Sequence, residues 1–158
     1  MTTGVFVDST TLLYTEDHRY PLKRERSTLW LTSLLDSSRL ALSLQVLNET
    51  YAVVRRKPEF AHWRSYLRPF LTDLFYWATP PLDSAALSEA WRIEDRYAIS
   101  LWDSLLLVSA NRAGCGVFLS EDLNDGQTYG AVKVVNPFRH APEDVLERDG
   151  LRSKRSEP

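Results

Sequence analysis

Two short apolar runs, each followed directly by acidic residues, constrain the fold of this chain most strongly. The first is GVFVD, which ends at Asp8, and the second is GVFLSED, which reaches Asp122. Continuous apolar runs of this length are typical of parallel strands that are buried on both faces of a sheet. If the strands that begin after Gly4 and Gly116 lie side by side, both acids project from the edge where open α/β sheets place their ligands.

Predicted helices and strands alternate along the rest of the chain. The helices are predicted at residues 10–17, Pro21–Asp36, 46–57, 59–78 with a break or kink at Pro69, a segment that starts at Asp83 or Ser84, and 100–114. Two further strands are predicted at residues 40–45 and 132–138, and residues 123–130 are predicted as a turn-rich loop. This alternation predicts an α/β three-layer domain with a mostly parallel, short-stranded sheet flanked by helices.

Length and composition favour one folded domain. The chain has 158 residues, of which 44% are hydrophobic, enough for one complete core. We assign residues 1–138 to this domain and expect the polar residues 139–158 to form a flexible tail. The single Cys115 excludes an intramolecular disulfide and indicates a reducing, cytoplasmic setting, where it serves for packing. No stretch approaches the roughly 18 apolar residues of a membrane span.

Charge is distributed unevenly along the sequence. The net charge is −2, yet residues 19–68 hold ten Lys or Arg against four Asp or Glu. A basic flank beside acidic residues suits a metal-dependent enzyme that acts on a polyanion such as a nucleic acid. The alternative is that these basic side chains only solvate helix faces.

Two further acids join Asp8 and Asp122 as candidate ligands. Glu49 lies in a predicted helix among core residues, and Asp103 lies at the start of another. Converging carboxylates need a cation, and oxygen ligands suit a hard ion such as Mg²⁺ or Mn²⁺. The three histidines show no ligand spacing, which argues against zinc.

Each acid also has a simpler interpretation. Asp8 could cap the helix that follows it, and Glu49 could be an ordinary surface residue. Asp103 follows Ser100 with the spacing of a helix capping box, which contributes only about 1 kcal/mol to helix stability. Capping does not exclude a catalytic role, because a helix N-terminus also favours phosphate binding.

Taken together, five motifs resemble those of the PIN-domain ribonucleases, and within them the toxins of bacterial VapBC toxin–antitoxin modules. These motifs are VDST with the following LLY, NETYAVVRR, SLWDSLLLVSANRAG, FLSEDLNDGQ and VVNPF, and together they extend from Gly4 to Phe138. The resemblance implies a PIN-like fold and a Mg²⁺-dependent endoribonuclease, with Mn²⁺ able to substitute. It also implies a cytoplasmic toxin that cleaves structured cellular RNA, binds a cognate antitoxin and forms a homodimer.

The resemblance also assigns residues. It implies that Asp8, Glu49, Asp103 and Asp122 are the metal-binding and catalytic acids, with Ser9, Ser120 and Asp125 supporting them through hydrogen bonds or water. Asp122 is preferred to its neighbour Glu121 on this basis alone. One departure is Thr10, which stands where many members of the family have Asn.

Candidate RNA contacts come from the basic middle of the chain. Arg55, Arg56, Arg64 and Arg68 are expected to grip phosphates, while Trp63 and Tyr66 could stack on bases. The same arginines could instead bind the antitoxin. Two alternative functions remain open: a catalytically silent PIN-like module that binds RNA or protein, and a phosphatase of the haloacid dehalogenase type. The phosphatase would need a second acid where Thr10 stands.

Overall fold

A five-stranded sheet forms the centre of the computed structural model, which describes residues 3–146. The strands are β1 (Val5–Val7), β2 (Leu40–Ala41), β3 (Val117–Leu119), β4 (Thr128–Tyr129) and β5 (Val132–Val135). Their spatial order is β2-β1-β3-β5-β4, and only the β4–β5 pair is antiparallel. The predicted α/β domain with a mostly parallel, short-stranded sheet is confirmed.

Residues 142–146, at the end of the described part of the chain, are helical, and six α-helices precede them around the sheet. These six are α1 (Ser9–Tyr14), α2 (Pro21–Asp36), α3 (Leu44–Arg56), α4 (Leu67–Asp73), α5 (Ser84–Tyr97) and α6 (Leu101–Arg112), with 3₁₀ helices at Pro58–Trp63 and Leu74–Trp77. Between residues 3 and 146, no helix has the length and apolar character needed to cross a membrane.

The two apolar runs lie side by side, as the sequence predicts. Val5 pairs with Val117 and Val7 pairs with Leu119 in parallel register, and these strands are buried. Gly4 directly precedes β1, where the backbone lies close to Cys115. A Cβ at position 4 would lie 3.1 Å from the Cys115 Sγ, which explains the glycine. Because β1 and β3 run in the same direction, the acids that follow them emerge at one edge of the sheet.

The strand predicted at residues 40–45 is wrong beyond its first two residues. Only Leu40 and Ala41 pair with β1. The Ser43 hydroxyl accepts a hydrogen bond from the Val46 amide at 3.4 Å, so α3 begins at Leu44. A capping serine therefore ends a segment whose apolar composition favours a strand.

The loop predicted at residues 123–130 contains a strand that the sequence analysis missed. Thr128 pairs with Lys133 and Tyr129 pairs with Val132, which places β4 at the edge of the sheet. Gly130, with a φ of 61°, makes the tight turn between the two strands. Burial of Tyr129 against the Tyr97 ring, 4.7 Å away between centroids, explains why this polar segment is ordered as a strand.

The aromatic stretch at residues 59–78 breaks at a different position from the one predicted. The interruption lies at residues 64–66, before α4, and Pro69 is the third residue of that helix. A proline is tolerated there because the first amides of a helix have no intrahelical acceptor. Trp63 is fully buried, so its predicted role in base stacking is wrong.

The described part of the expected tail packs against the domain. The Trp30 indole donates to the carbonyls of Pro137 and His140, both at 3.0 Å. Val145 and Leu146 pack against the core, and the Arg39 guanidinium donates to the Leu146 carbonyl at 3.4 Å. Residues 147–158, which complete the expected flexible tail, lie outside the described residues.

Candidate metal centre

Asp8 is buried at the point where β1 meets α1. Its Oδ1 accepts hydrogen bonds from the Thr11 amide at 2.9 Å and the Thr11 hydroxyl at 2.7 Å, which caps α1. Both bonds use the same oxygen, and no described residue donates to Oδ2. The helix cap, the simpler interpretation of Asp8, is therefore present, and it leaves the second carboxylate oxygen without a described donor and available to a ligand.

The charge around Asp8 shows which acids share its environment. Burial raises the pKa of Asp8 to about 7; the hydrogen bonds from Thr11 oppose this, and the charges of Asp122 and Asp103 add to it. The pKa of Asp122 is also raised, first by partial desolvation and then by Asp103 and Glu121. The structure thus brings Asp8, Asp103 and Asp122 into one region of negative potential.

Glu49 joins this region through Ser9. The Ser9 hydroxyl donates to Glu49 Oε2 at 3.0 Å, and Ser9 directly follows Asp8 in the chain. The Gln45 amide donates to the other oxygen of Glu49 at 2.9 Å, one turn earlier on α3. Ser9 and Gln45 together fix the direction of the Glu49 carboxylate; Gln45 was missed because its i, i+4 spacing to Glu49 is common on surface helices.

Half of the predicted capping box is present at the start of α6: Ser100 caps the helix, but the Asp103 carboxylate accepts from the Ser100 hydroxyl and not from its backbone amide. The Asp103 amide donates to the Ser100 hydroxyl at 3.1 Å, and that hydroxyl lies 3.0 Å from Asp103 Oδ2. Ser120 holds the turn before Asp122, and its expected bond to an acid or to a metal-bound water stays a prediction. Its hydroxyl accepts from the amides of Asp122 and Leu123 at 3.2 and 3.3 Å, so it shapes the backbone turn that presents the Asp122 carboxylate.

Asp125 lies apart from these acids in its interactions. Its Oδ1 accepts from the Asn136 amide and its Oδ2 contacts the His140 ring, both at 2.8 Å. Burial alone would raise the pKa of Asp125, but these two partners outweigh it and the pKa is lowered. Since both oxygens have protein partners, Asp125 fastens the loop after β3 to the end of β5.

Lys23 is a cation at this site that the sequence analysis missed. Its ammonium group contacts the Glu121 carboxylate and the Tyr14 hydroxyl, and it lies 4.9 Å from the centre of the Phe138 ring. Its charge also acts on Asp122 and offsets part of the rise in the pKa of that acid. No local pattern could reveal it, because 98 residues separate Lys23 from Glu121.

The four candidate RNA-binding arginines differ in their contacts. Arg64 donates to the carbonyls of Val54 and Lys57 at 3.0 and 3.1 Å, so it caps the end of α3. Arg68 donates to the Tyr51 hydroxyl at 3.0 Å. Arg55 and Arg56 are exposed in the last turn of α3 and form no side-chain hydrogen bond or ion pair with another described residue.

The acid set fits a hydrated hard cation. Asp8 offers an oxygen without a described donor, the charges of Asp103 and Asp122 act on it, and Glu49 is bonded to the neighbouring Ser9. Within residues 3–146, no three of these carboxylates bring oxygens within 4.8 Å of one another. An ion here would touch one or two carboxylates directly and reach the others through water, which is the coordination that Mg²⁺ prefers. We name this region, defined by Asp8, Glu49, Asp103 and Asp122, the acidic cleft.

Comparison with known proteins identifies the family. In overall fold, the chain is similar to a solved structure described as "Crystal structure of DNA bound VapBC from Salmonella typhimurium", with a TM-score of 0.59 and 16% sequence identity. The match covers 85% of this chain and 98% of the other. No curated protein matches by sequence. Residues 5–125, a span that includes all four acids, match the PIN domain family. The chain therefore belongs to the PIN domain family.

Proposed function

We propose that this protein is a Mg²⁺-dependent endoribonuclease. The observation that carries the proposal is the acidic cleft itself: Asp8, Asp103 and Asp122 share one negative field, and Ser9 joins Glu49 to Asp8. A Mg²⁺ ion bound there would polarise a phosphodiester and lower the pKa of a bound water. The parallel pairing of β1 with β3 supports this reading, since it presents Asp8 and Asp122 at one sheet edge.

The residues around the acids have supporting roles in this proposal. Thr11 holds one oxygen of Asp8 and Ser9 holds one oxygen of Glu49, so both carboxylates are oriented before any ligand binds. Lys23 provides a positive charge at the edge of the cleft, suited to a phosphate oxygen. Thr10, at the position where many relatives have Asn, lies in α1 beside these residues.

The proposed path of the RNA backbone runs along α3. Arg56 follows Glu49 by seven residues, which places both on the same side of the helix, about 10 Å apart along its axis. Arg55 and Arg68 add exposed positive charge nearby in the chain, whereas Arg64 is committed to the end of α3. We propose Arg56 as the main phosphate contact among the four arginines.

The biological role that we propose is that of a toxin. The similar structure from Salmonella typhimurium is described as DNA-bound VapBC, and we extend to this chain a cognate antitoxin that inserts a segment into the acidic cleft. Homodimer formation, action on structured cellular RNA and a cytoplasmic location belong to the same proposal. Co-expression tests this role. Expression of the wild-type chain alone should be toxic, and co-expression of the protein encoded by the neighbouring reading frame should relieve that toxicity.

A catalytically silent binding module is the second candidate. The exposed arginines of α3 could bind RNA even if the acidic cleft did not cleave it, and such a protein would be a binding module. Membership in the PIN domain family removes support for the phosphatase of the haloacid dehalogenase type, which the absence of a second acid at Thr10 already disfavoured.

The decisive experiment measures RNA cleavage in Mg²⁺ and in a metal chelator. Asp8→Asn and Asp103→Asn should each reduce the cleavage rate by at least about a hundredfold, because each removes charge from the metal site at constant shape. Asp36→Asn, which changes an exposed acid at the end of α2, serves as the matched control and should retain full activity. Full activity in both cleft variants would contradict the site, and binding without cleavage by the wild type would favour the silent module.

A further inference from the structure

A second group of metal-ligating side chains lies outside the acidic cleft. It contains Glu16, His18 and His62, whose ligand atoms all lie within 4.8 Å of one another. The histidines show no ligand spacing in the sequence, so only the fold reveals this group. The fold brings together two residues that lie 44 positions apart, and their rings stack with centroids 4.3 Å apart.

We propose that Glu16, His18 and His62 bind a borderline divalent transition-metal cation such as Zn²⁺. Two imidazoles and one carboxylate form a typical protein ligand set for zinc, and a water would complete the tetrahedron. The His62 Nε2 lies 3.2 Å from Glu16 Oε2. Two ligands that are each about 2.0–2.1 Å from one tetrahedral zinc are separated by about 3.4 Å. This pair is therefore already at the spacing that a shared ion requires.

The surrounding structure holds the ligands in place. The Tyr66 hydroxyl donates to Glu16 Oε2 at 3.0 Å, and no described residue donates to Oε1. A partner that orients a ligating carboxylate in this way is a regular feature of zinc sites. The rings of His18 and His62 are exposed, so rotation of the side chains can close the longer separations.

The backbone of all three ligands is fixed by neighbouring contacts. His62 lies in the 3₁₀ helix between Phe60 and Trp63, both of which are buried. Glu16 and His18 flank Asp17, which is also buried and binds the Arg19 guanidinium at 2.8 Å.

Charge near the site favours a cation. Arg19, the nearest basic residue in the chain, forms ion pairs with Asp17 and with Glu59 at 3.1 Å. Its positive charge is thus balanced by two carboxylates and does not oppose an incoming ion. The bound ion would fasten the turn after α1 to the 3₁₀ helix, at the opposite end of α1 from Asp8.

The test uses the full chain in excess Mg²⁺, which occupies oxygen sites but has little preference for imidazole. Zn²⁺ is titrated by calorimetry, and Co²⁺ serves as a spectroscopic probe, because tetrahedral nitrogen coordination gives a visible absorption band. We expect one Zn²⁺ per chain with a dissociation constant below about 100 µM, a coordinated-Co²⁺ band and a higher melting temperature.

The variants locate the site. His18→Ala and His62→Ala should each weaken Zn²⁺ binding at least tenfold and remove both the Co²⁺ band and the thermal stabilisation. His140→Ala changes a histidine that contacts Asp125 instead, and it should bind Zn²⁺ as the wild type does. Absence of saturable Zn²⁺ binding by the wild type would overturn the proposal, and so would affinity unchanged in both His18→Ala and His62→Ala. Nuclease activity is not a readout, so this result is independent of the proposed function.

Discussion

Asp8 divides two roles between its two carboxylate oxygens. Oδ1 accepts both hydrogen bonds from Thr11 and starts α1, whereas Oδ2 has no donor among the described residues. Burial without a compensating cation disfavours the ionised form, which explains the raised pKa of this acid. At the scale of one residue, the ionised carboxylate of Asp8 is therefore destabilised by burial and by the neighbouring acids.

This destabilisation predicts a pH dependence of stability in the metal-free protein. The pKa of Asp8 is about 7 in the folded state, against 3.8 for an ordinary aspartate. Between these values the folded state holds a proton that the unfolded state has lost, so stability falls as pH rises from about 4 to about 7. Divalent ion should reverse the loss, and urea unfolding at several pH values, with Mg²⁺ or with chelator, measures both effects.

Asp8→Asn is the control for that measurement. Its side chain keeps an oxygen for Thr11 but carries no charge, so in chelator it should be more stable than the wild type at pH 8, by a few kcal/mol at most. Mg²⁺ should stabilise it less than the wild type. Parallel stability profiles of the two proteins from pH 4 to pH 8 would show that the Asp8 carboxylate is not the source of the destabilisation.

At the scale of the element, two arginines near the end of α3 have different roles: Arg64 is structural and Arg56 is exposed. Arg64 donates to the carbonyl of Val54, in the last turn of α3, and to that of Lys57, which ends the helix, and a charged donor there also complements the helix dipole. Arg56, on the same side of α3 as Glu49, has no such bond among the described residues. Both side chains carry a guanidinium group, but Arg64 stabilises the end of α3, whereas Arg56 is available to a ligand.

Arg64→Ala and Arg56→Ala should therefore have opposite effects. The first should lower the free energy of unfolding by about 1–2 kcal/mol, through lost hydrogen bonds from a charged donor, with little effect on RNA affinity. The second should leave stability unchanged, weaken RNA binding, and reduce the slope of log affinity against log salt by about 0.7. Salt-dependent binding measured without any partner protein distinguishes them. An unchanged slope for Arg56→Ala would move this surface from the substrate to the antitoxin.

Elements were predictable where local chemistry decides them. Pro21 marks the start of α2 and Ser100 marks the start of α6, because their effects act within one turn. The end of β2 and the existence of β4 were missed. Two-residue strands carry almost no periodic signal, and β4 depends on the burial of Tyr129 against a ring from α5.

At the scale of the whole molecule, the sequence is enough to predict that the acids of the cleft lie close together, but not which other residues lie around them. Adjacency of two buried parallel strands is enough to place Asp8 near Asp122. Lys23 and the His18–His62 pair depend on contacts between distant segments, for which the sequence offers no spacing rule.

The C-terminal boundary gives a prediction at the same scale. A chain that ends at residue 138 would lose the packing of Val145 and Leu146, the His140 carbonyl that accepts from Trp30 and the Leu146 carbonyl that accepts from Arg39. Its melting temperature should fall by about 2–4 °C for each kcal/mol lost. A chain that ends at residue 146 keeps these contacts and is the matched control. Equal melting temperatures would show that the domain is complete at residue 138.

The pairing of β1 with β3 also determines when the cleft can exist during synthesis. The first acid enters the growing chain at residue 8, but its strand finds its central partner only after residues 117–119 have been made. Contacts that are so distant in sequence form late, because a long loop must close first. An unfinished or prematurely terminated chain would carry Asp8, Glu49 and Asp103 without the strand that brings Asp122 to them. If the cleft cuts RNA, the machinery that makes this protein is exposed to the activity only after residues 117–122 have been made.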